Sequence, residues 1–395
     1  MKTVITNTKL VTENKVFADR AIVIENSKIS ALPRADSVEP THFDRVFDAQ
    51  GAYASAGWIE LHTHGISGYD FMDADSEGAV RAMHEYAKHG VTGVFPTTMS
   101  APFEEIERAL DSLAAAGFNG GAEFLGVHLE GPYFSPEQCG AQPTARLRTP
   151  ADGEYARLIQ KYPFIARIDS APELEGSEEM AKYLTERGIV CGIAHTDANS
   201  ATALSAIDAG YRIATHLYSG MSGVHRENGF RYGGTVEACL LRDEVFCEAI
   251  CDGIHLPSEL LKLIYKVKGS EKMVLVTDSM RGAAMNEGEC CMLGNQSNGT
   301  PAVISDGVAW LADRSAFAGS VATYERLIRT ATRLADIPLP EAITMATRTP
   351  ARAMGIKNKG VLATGYDADI TVFDDDIQIL LTVVGGKIQY NKKEK

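Results

Sequence analysis

The sequence predicts an α/β chain built as a (β/α)8 barrel of TIM type, with a small β-sandwich domain assembled from both termini. Three observations predict it. Between residues 54 and 358, short apolar runs alternate with amphipathic segments of helical period. Residues 1–53 and 359–395 carry strand-like patterning and turn signals instead. No Gly-x-Gly-x-x-Gly follows the first apolar run of the middle region, which argues against an open dinucleotide-binding sheet.

The elements follow in order. "KTVITNTKLV", "KVFADRAIVIENSKISAL" and "RVFDAQGAY" read as strands joined by turns. The barrel strands are "SAGWIELHTH", "TGVFPTT", "EFLGVHLEG", "FIARIDSAPE", "GIVCGIAHT", "YRIATHLYS", "VFCEAICDGIH" and "MVLVTDSM". Between them "SEGAVRAMHEYAKHG", "FEEIERALDSLAAAG" and "SEEMAKYLTERG" read as helices, each stopped by a glycine. The closing stretch "GVLATGYDADITVFDDDIQILLTVVGGKIQYN" returns to strands, with Gly385–Gly386 as a turn.

In such a barrel the reactive groups sit at the C-terminal ends of the strands. Those ends carry His62 and His64 after the first strand, Glu130 after the third, His195 after the fifth and His216 after the sixth. His255 follows the seventh and Asp278 the eighth. One such histidine alone reads as a hydrogen-bonded core residue. Together they suit a divalent ion held by imidazole nitrogens and a carboxylate, with a position left for water. Asp278 is placed to take a proton from that water, and His255 to polarise a carbonyl. His84 and His89 in "HEYAKH" lack the spacing of a helical metal motif, and His42 lies in a polar loop. All three are assigned to packing or surface.

Composition narrows the class of partner. The net charge is −14, from 38 basic and 52 acidic residues, and the only basic cluster is the terminal "NKKEK". A nucleic-acid partner is therefore not expected. An odd set of seven cysteines, most of them in apolar runs, reads as reduced core thiols in a cytoplasmic protein. No run has the length of a membrane span, and the start lacks the apolar stretch of a signal peptide.

"HTHG", "HLEGPY", "GIAHTDA", "ATHLY", "DGIH" and "LVTDSM" stand in the order and spacing of the amidohydrolase superfamily of metal-dependent hydrolases. Within it the chain resembles the N-acetylglucosamine-6-phosphate deacetylases, over nearly its whole length. The "HLEGP" element lets Glu130 take the bridging place that a carboxylated lysine on the fourth strand fills elsewhere. The resemblance implies Glu130, His195 and His216 as ligands of a main metal, and His62 and His64 as ligands of a second, so one or two ions. Zinc is the first expectation, with iron, manganese or cobalt as alternatives. It implies Asp278 as catalytic acid/base and His255 at the acetyl carbonyl. It also implies a sugar-phosphate wall of Ala141, Gln142, Ser219, Gly220, Phe317, Ala318 and Gly319. Arg226 falls where the family has a phosphate-binding arginine that reaches the neighbouring subunit of a homodimer.

The departures concern substrate. Ser219 and Gly220 replace an Asn-Ala, Gln142 replaces a histidine, Asn228 a proline, and "DSAPE" a "TLAPE". Ser219 offers a hydroxyl for an amide, and Gln142 does not titrate near neutral pH. A related N-acetylhexosamine phosphate, such as the galactosamine epimer, or a different amide, is the alternative substrate.

Overall fold

The computed structural model describes residues 2–314 and 316–394. Met1 and Lys395, the outer ends of the expected terminal domain, lie outside the described residues. Eight parallel strands form the centre: β1 (Trp58–Thr63), β2 (Val91–Pro96), β3 (Val127–Glu130), β4 (Ile165–Ser170), β5 (Val190–Ile193), β6 (Tyr211–Ala214), β7 (Phe246–Ile250) and β8 (Met273–Val276). β3 to β8 pair in chain order, and β1 pairs β2. Parallel bridges between Thr97 and His128, and between Thr63 and Ser279, join the two sheets at the strand ends. The ring so formed fits a TIM barrel.

The expected helices are present as α1 (Ser76–Lys88), α2 (Phe103–Ala115) and α3 (Ser177–Glu186). Their stopping glycines, Gly90, Gly117 and Gly188, take φ of +82°, +54° and +69°, a backbone that side-chain-bearing residues avoid. The outer faces of the strands and the inner faces of these helices share one apolar cluster, with Met83, Leu110 and Leu184 fully enclosed.

Strands from both termini join in one eight-stranded sheet. Lys2–Val11, Val16–Glu25, Lys28–Ala31, Arg45–Asp48 and Tyr53–Ala56 come from the start of the chain. Ile370–Phe373, Ile379–Val384 and Lys387–Asn391 come from its end. Ile5, Ile22, Ile370 and Leu381 build a separate apolar cluster on this sheet. A four-stranded antiparallel sheet, Cys290–Leu293 to Phe317–Ser320, follows β8. The sequence reading predicts no strand here and names only Phe317, Ala318 and Gly319, as part of the substrate wall. Of the seven cysteines, Cys191, Cys239, Cys247 and Cys251 are buried, while Cys290 is exposed.

Candidate metal centre and catalytic cavity

Closing β1 against the end of β8 assembles the first part of the site. Asp278 N–H donates to the His62 carbonyl at 2.9 Å, and His64 N–H donates to the Ser279 carbonyl at 2.7 Å. These bonds set His62, His64 and Asp278 side by side. The Nε2 atoms of His62 and His64 lie 3.5 and 3.4 Å from Asp278 Oδ1. Glu130, at the end of β3, faces them across the mouth: its carboxylate is 3.4 Å from both His62 Nε2 and His64 Nε2. His216 Nε2 approaches Glu130 Oε1 at 3.0 Å, and His195 Nε2 approaches the same oxygen at 3.3 Å.

Two sets of donors can each grip an ion, His62 with Glu130 and His216, and His62 with His64 and Asp278; within each the donor atoms lie inside 4.8 Å of one another. The fit is visible at His62 Nε2. This buried nitrogen has no hydrogen-bond partner, although it faces two carboxylate oxygens. A cation between them would satisfy it. Backbone geometry shows the same demand: His195, His216 and Asp278 have φ of +45°, +30° and +46°. Left-handed backbone at residues with side chains costs about 1–3 kcal/mol each and concentrates at functional sites.

Behind the ligating edge lies a buried charged layer absent from the sequence reading. His62 Nδ1 sits 3.3 Å from Glu248 Oε2, so its other nitrogen turns to the cavity. Glu248 also accepts from the His216 backbone N–H at 3.3 Å and from Arg167. Arg167 in turn grips both oxygens of Asp169, at 2.8 and 2.9 Å. Asp169 reaches His128 Nε2 at 2.8 Å and accepts from the Thr215 hydroxyl at 2.7 Å. Gly192 makes room for this pair, because a Cβ there would lie 2.1 Å from Asp169 Oδ1. Burial opposes the charge on Glu248, but Arg167 and His62 overcome it and hold the carboxyl down at about 2. Burial and the Arg167 charge push His128 down to about 4, which keeps it neutral.

The expected substrate residues divide. Ala141, Gln142, Ser219, Gly220, His255, Phe317, Ala318 and Gly319 line one cavity of about 190 Å³ together with Glu130, His195, His216 and Asp278. Gln142 also serves the ligand edge: its amide donates to Glu130 Oε2 at 2.7 Å, while its oxygen accepts from Ser100 N–H at 2.8 Å. Arg226 is elsewhere, exposed on a hairpin of His225–Glu227 and Phe230–Tyr232. His255 is aimed by a residue the sequence reading passed over. Asp252 Oδ2 lies 2.7 Å from His255 Nδ1, while its other oxygen accepts from the N–H groups of Ile254 and His255.

A parallel ring of strands with imidazoles and carboxylates converging on one mouth defines a metal-dependent hydrolase. The model of the amidohydrolase family matches residues 53–389. A Bacillus subtilis (strain 168) protein, N-acetylglucosamine-6-phosphate deacetylase, is 31% identical over 396 residues, covering 98% of this chain and 96% of its own. The N-acetylgalactosamine-6-phosphate deacetylase of Escherichia coli O157:H7 is 30% identical, covering 96% and 97%. Among solved structures, a mutant N-acetyl-D-glucosamine-6-phosphate deacetylase from Mycobacterium smegmatis, in complex with N-acetyl-D-glucosamine-6-phosphate, superposes with a TM-score of 0.89. It has 28% identity and covers 99% of this chain and 100% of its own. The chain belongs to the amidohydrolase family.

Proposed function

We propose that this chain hydrolyses the acetamide of N-acetylglucosamine 6-phosphate to glucosamine 6-phosphate and acetate, a step of amino-sugar catabolism. The observation that carries the reading is the convergence of His62, His64, Glu130, His195, His216, His255 and Asp278 on one cavity. Full-length similarity to deacetylases of this substrate supports it.

Glu130, His195 and His216 would hold one divalent ion, zinc in first place, and His62 with His64 a second; when bound, the metal supplies Lewis acidity and lowers the pKa of water. His255, fixed through Nδ1 by Asp252, presents Nε2 to the substrate carbonyl and holds it for attack. Asp278 accepts a proton from the attacking water and returns it to the departing nitrogen. Asp278 stands beside these ligands, its Oδ1 3.5 and 3.4 Å from the Nε2 atoms of His62 and His64. Ala141, Ser219, Gly220, Phe317, Ala318 and Gly319 would line the sugar phosphate, and at Ala141, Gly220, Ala318 and Gly319 little side-chain bulk stands between backbone N–H groups and ligand.

The reading extends to the whole chain. Residues 1–53 with 359–395 form a small β-sandwich domain beside a catalytic barrel of residues 54–358, supported by the separate apolar cluster of the terminal sheet. The protein acts as a cytoplasmic homodimer in which Arg226 serves the neighbouring site. The second reading is the galactosamine epimer, favoured by Ser219 and Gln142 in the cavity wall and by the similarity to a deacetylase of that epimer.

Acetate release from phosphorylated and unphosphorylated N-acetylhexosamines, with metal-reconstituted protein, tests both readings. Asp278→Asn is expected to abolish turnover while bound metal, measured by elemental analysis, is retained. Undiminished release by that variant would remove Asp278 from the reaction.

A further inference from the structure

Arg281 stands shortly beyond Asp278 in the chain and is only 2% exposed. Its guanidinium ties together separate segments around the barrel mouth. Nε donates to the Met292 carbonyl at 2.7 Å, and Nη2 donates to the Gly294 carbonyl. Those carbonyls flank Leu293, which lines the catalytic cavity. Nη2 and Nη1 also grip both oxygens of Asp73, at 2.9 and 3.1 Å, and Nη1 reaches the Gly68 carbonyl at 3.1 Å. Gly68 and Asp73 belong to the stretch that follows His64. The turn beyond Leu293 is fastened to the same pair. Gln296 N–H donates to Asp73 Oδ1 at 2.7 Å, and Gln296 Oε1 accepts from Arg281 at 2.6 Å.

Resting on the proposed deacetylation, we propose that Arg281 is a positioning residue for the substrate: it holds the backbone on both sides of Leu293 and so sets how tightly the catalytic cavity grips the amino-sugar phosphate. Leu293 pairs with Thr300 inside its own antiparallel sheet. Its attachment to the barrel mouth runs through Arg281, Asp73 and the Asn295 amide on the Met72 carbonyl at 2.7 Å. Asp278 is fastened by different bonds. Its N–H donates to the His62 carbonyl at 2.9 Å, and its carbonyl accepts from Ser320 N–H at 3.0 Å. Loss of the guanidinium therefore shifts the wall and leaves the acid/base in place. The planar fork of arginine serves divergent acceptors from three nitrogens at once, which the single nitrogen of a lysine cannot do.

The test measures kcat and KM with the better of N-acetylglucosamine 6-phosphate and its galactosamine epimer. It uses wild type, Arg281→Lys, Leu293→Ala and the double variant, with thermal melts to confirm folding. Asp73→Asn, which keeps shape and removes the charge, is a second way to loosen the same knot. Loss of one buried leucine contact is worth about tenfold or more, so each single variant is expected to raise KM by at least that factor. kcat should stay within about twofold of wild type. The double variant should match the weaker single one, because both changes act on one wall. Backbone amide exchange across residues 290–299 is expected to quicken about tenfold in Arg281→Lys and Asp73→Asn, with β8 unchanged. A folded Arg281→Lys that keeps either wild-type KM or wild-type exchange overturns the proposal. So does a fall in kcat at constant KM, or a double variant in which the two KM factors multiply. Wild type that releases no acetate from any N-acetylhexosamine phosphate overturns the deacetylase reading instead. The exchange measurement needs no substrate and still decides whether Arg281 holds Leu293.

Discussion

Glu248 is a single carboxylate with three obligations: it turns the His62 ring, caps the His216 backbone and neutralises Arg167. Removing it in Glu248→Ala leaves Arg167 with Asp169 and the Thr215 hydroxyl and frees His62 to rotate. A buried pair broken from one side costs about 3–5 kcal/mol, measurable by denaturant unfolding. Loss of an outer-shell partner weakens metal binding about 10–100-fold, measurable by competition with a chromophoric chelator. Unaltered metal affinity in a folded variant would refute the orienting role. His62, His64, Glu130, His195, His216, His255 and Asp278 were legible in the sequence because each interrupts or ends an apolar run at the end of a strand. Glu248, Arg167 and Asp169 were not. A charge inside a buried strand makes sense only with its partners, and those come from strands far apart in the chain.

At the scale of elements, the barrel strands and three of the helices were legible because period two and period 3.6 patterns are local. The antiparallel sheet after β8 was not, since its strands are partly exposed and its apolar residues line a cavity rather than alternate cleanly. His89, expected to serve packing or surface, links two helices. It follows the end of α1 and its Nδ1 lies 2.9 Å from Glu325 Oε1, in a helix α4 at Tyr324–Arg329. Burial opposes its charge, but the bond to Glu325 and the nearby Glu85 raise it to about 9. A histidine kept protonated by the fold stabilises it fully below its ordinary value near 6.5, and that contribution fades as pH rises through about 9. Wild type is therefore expected to lose on the order of 1–3 kcal/mol relative to His89→Gln across that window. Parallel pH profiles of unfolding for the two proteins would contradict the link.

For the whole molecule, the hairpin bearing Arg226 projects with Val224, Phe230 and Tyr232 exposed at 62%, 69% and 47%. Such a surface on an isolated chain suits burial against a second copy. Arg226→Ala is expected to raise KM at least about tenfold while kcat changes little, as for a residue that binds phosphate without touching the reacting bond. An unchanged KM would reject that role, and sedimentation at assay concentration reports whether the chain is a dimer. Among the described residues no helix is long and apolar enough to cross a membrane.

The seam where β1 meets the end of β8 has a consequence for biosynthesis. Thr63 and Ser279, bonded there through their hydroxyls, are 216 residues apart. A nascent chain released by the ribosome only as far as β7 owns most of the imidazoles but neither Asp278 nor the seam that aligns it with His62 and His64. Competence to react thus arrives late and all at once. A copy cut short before β8 would lack the proposed acid/base as well as the closed ring.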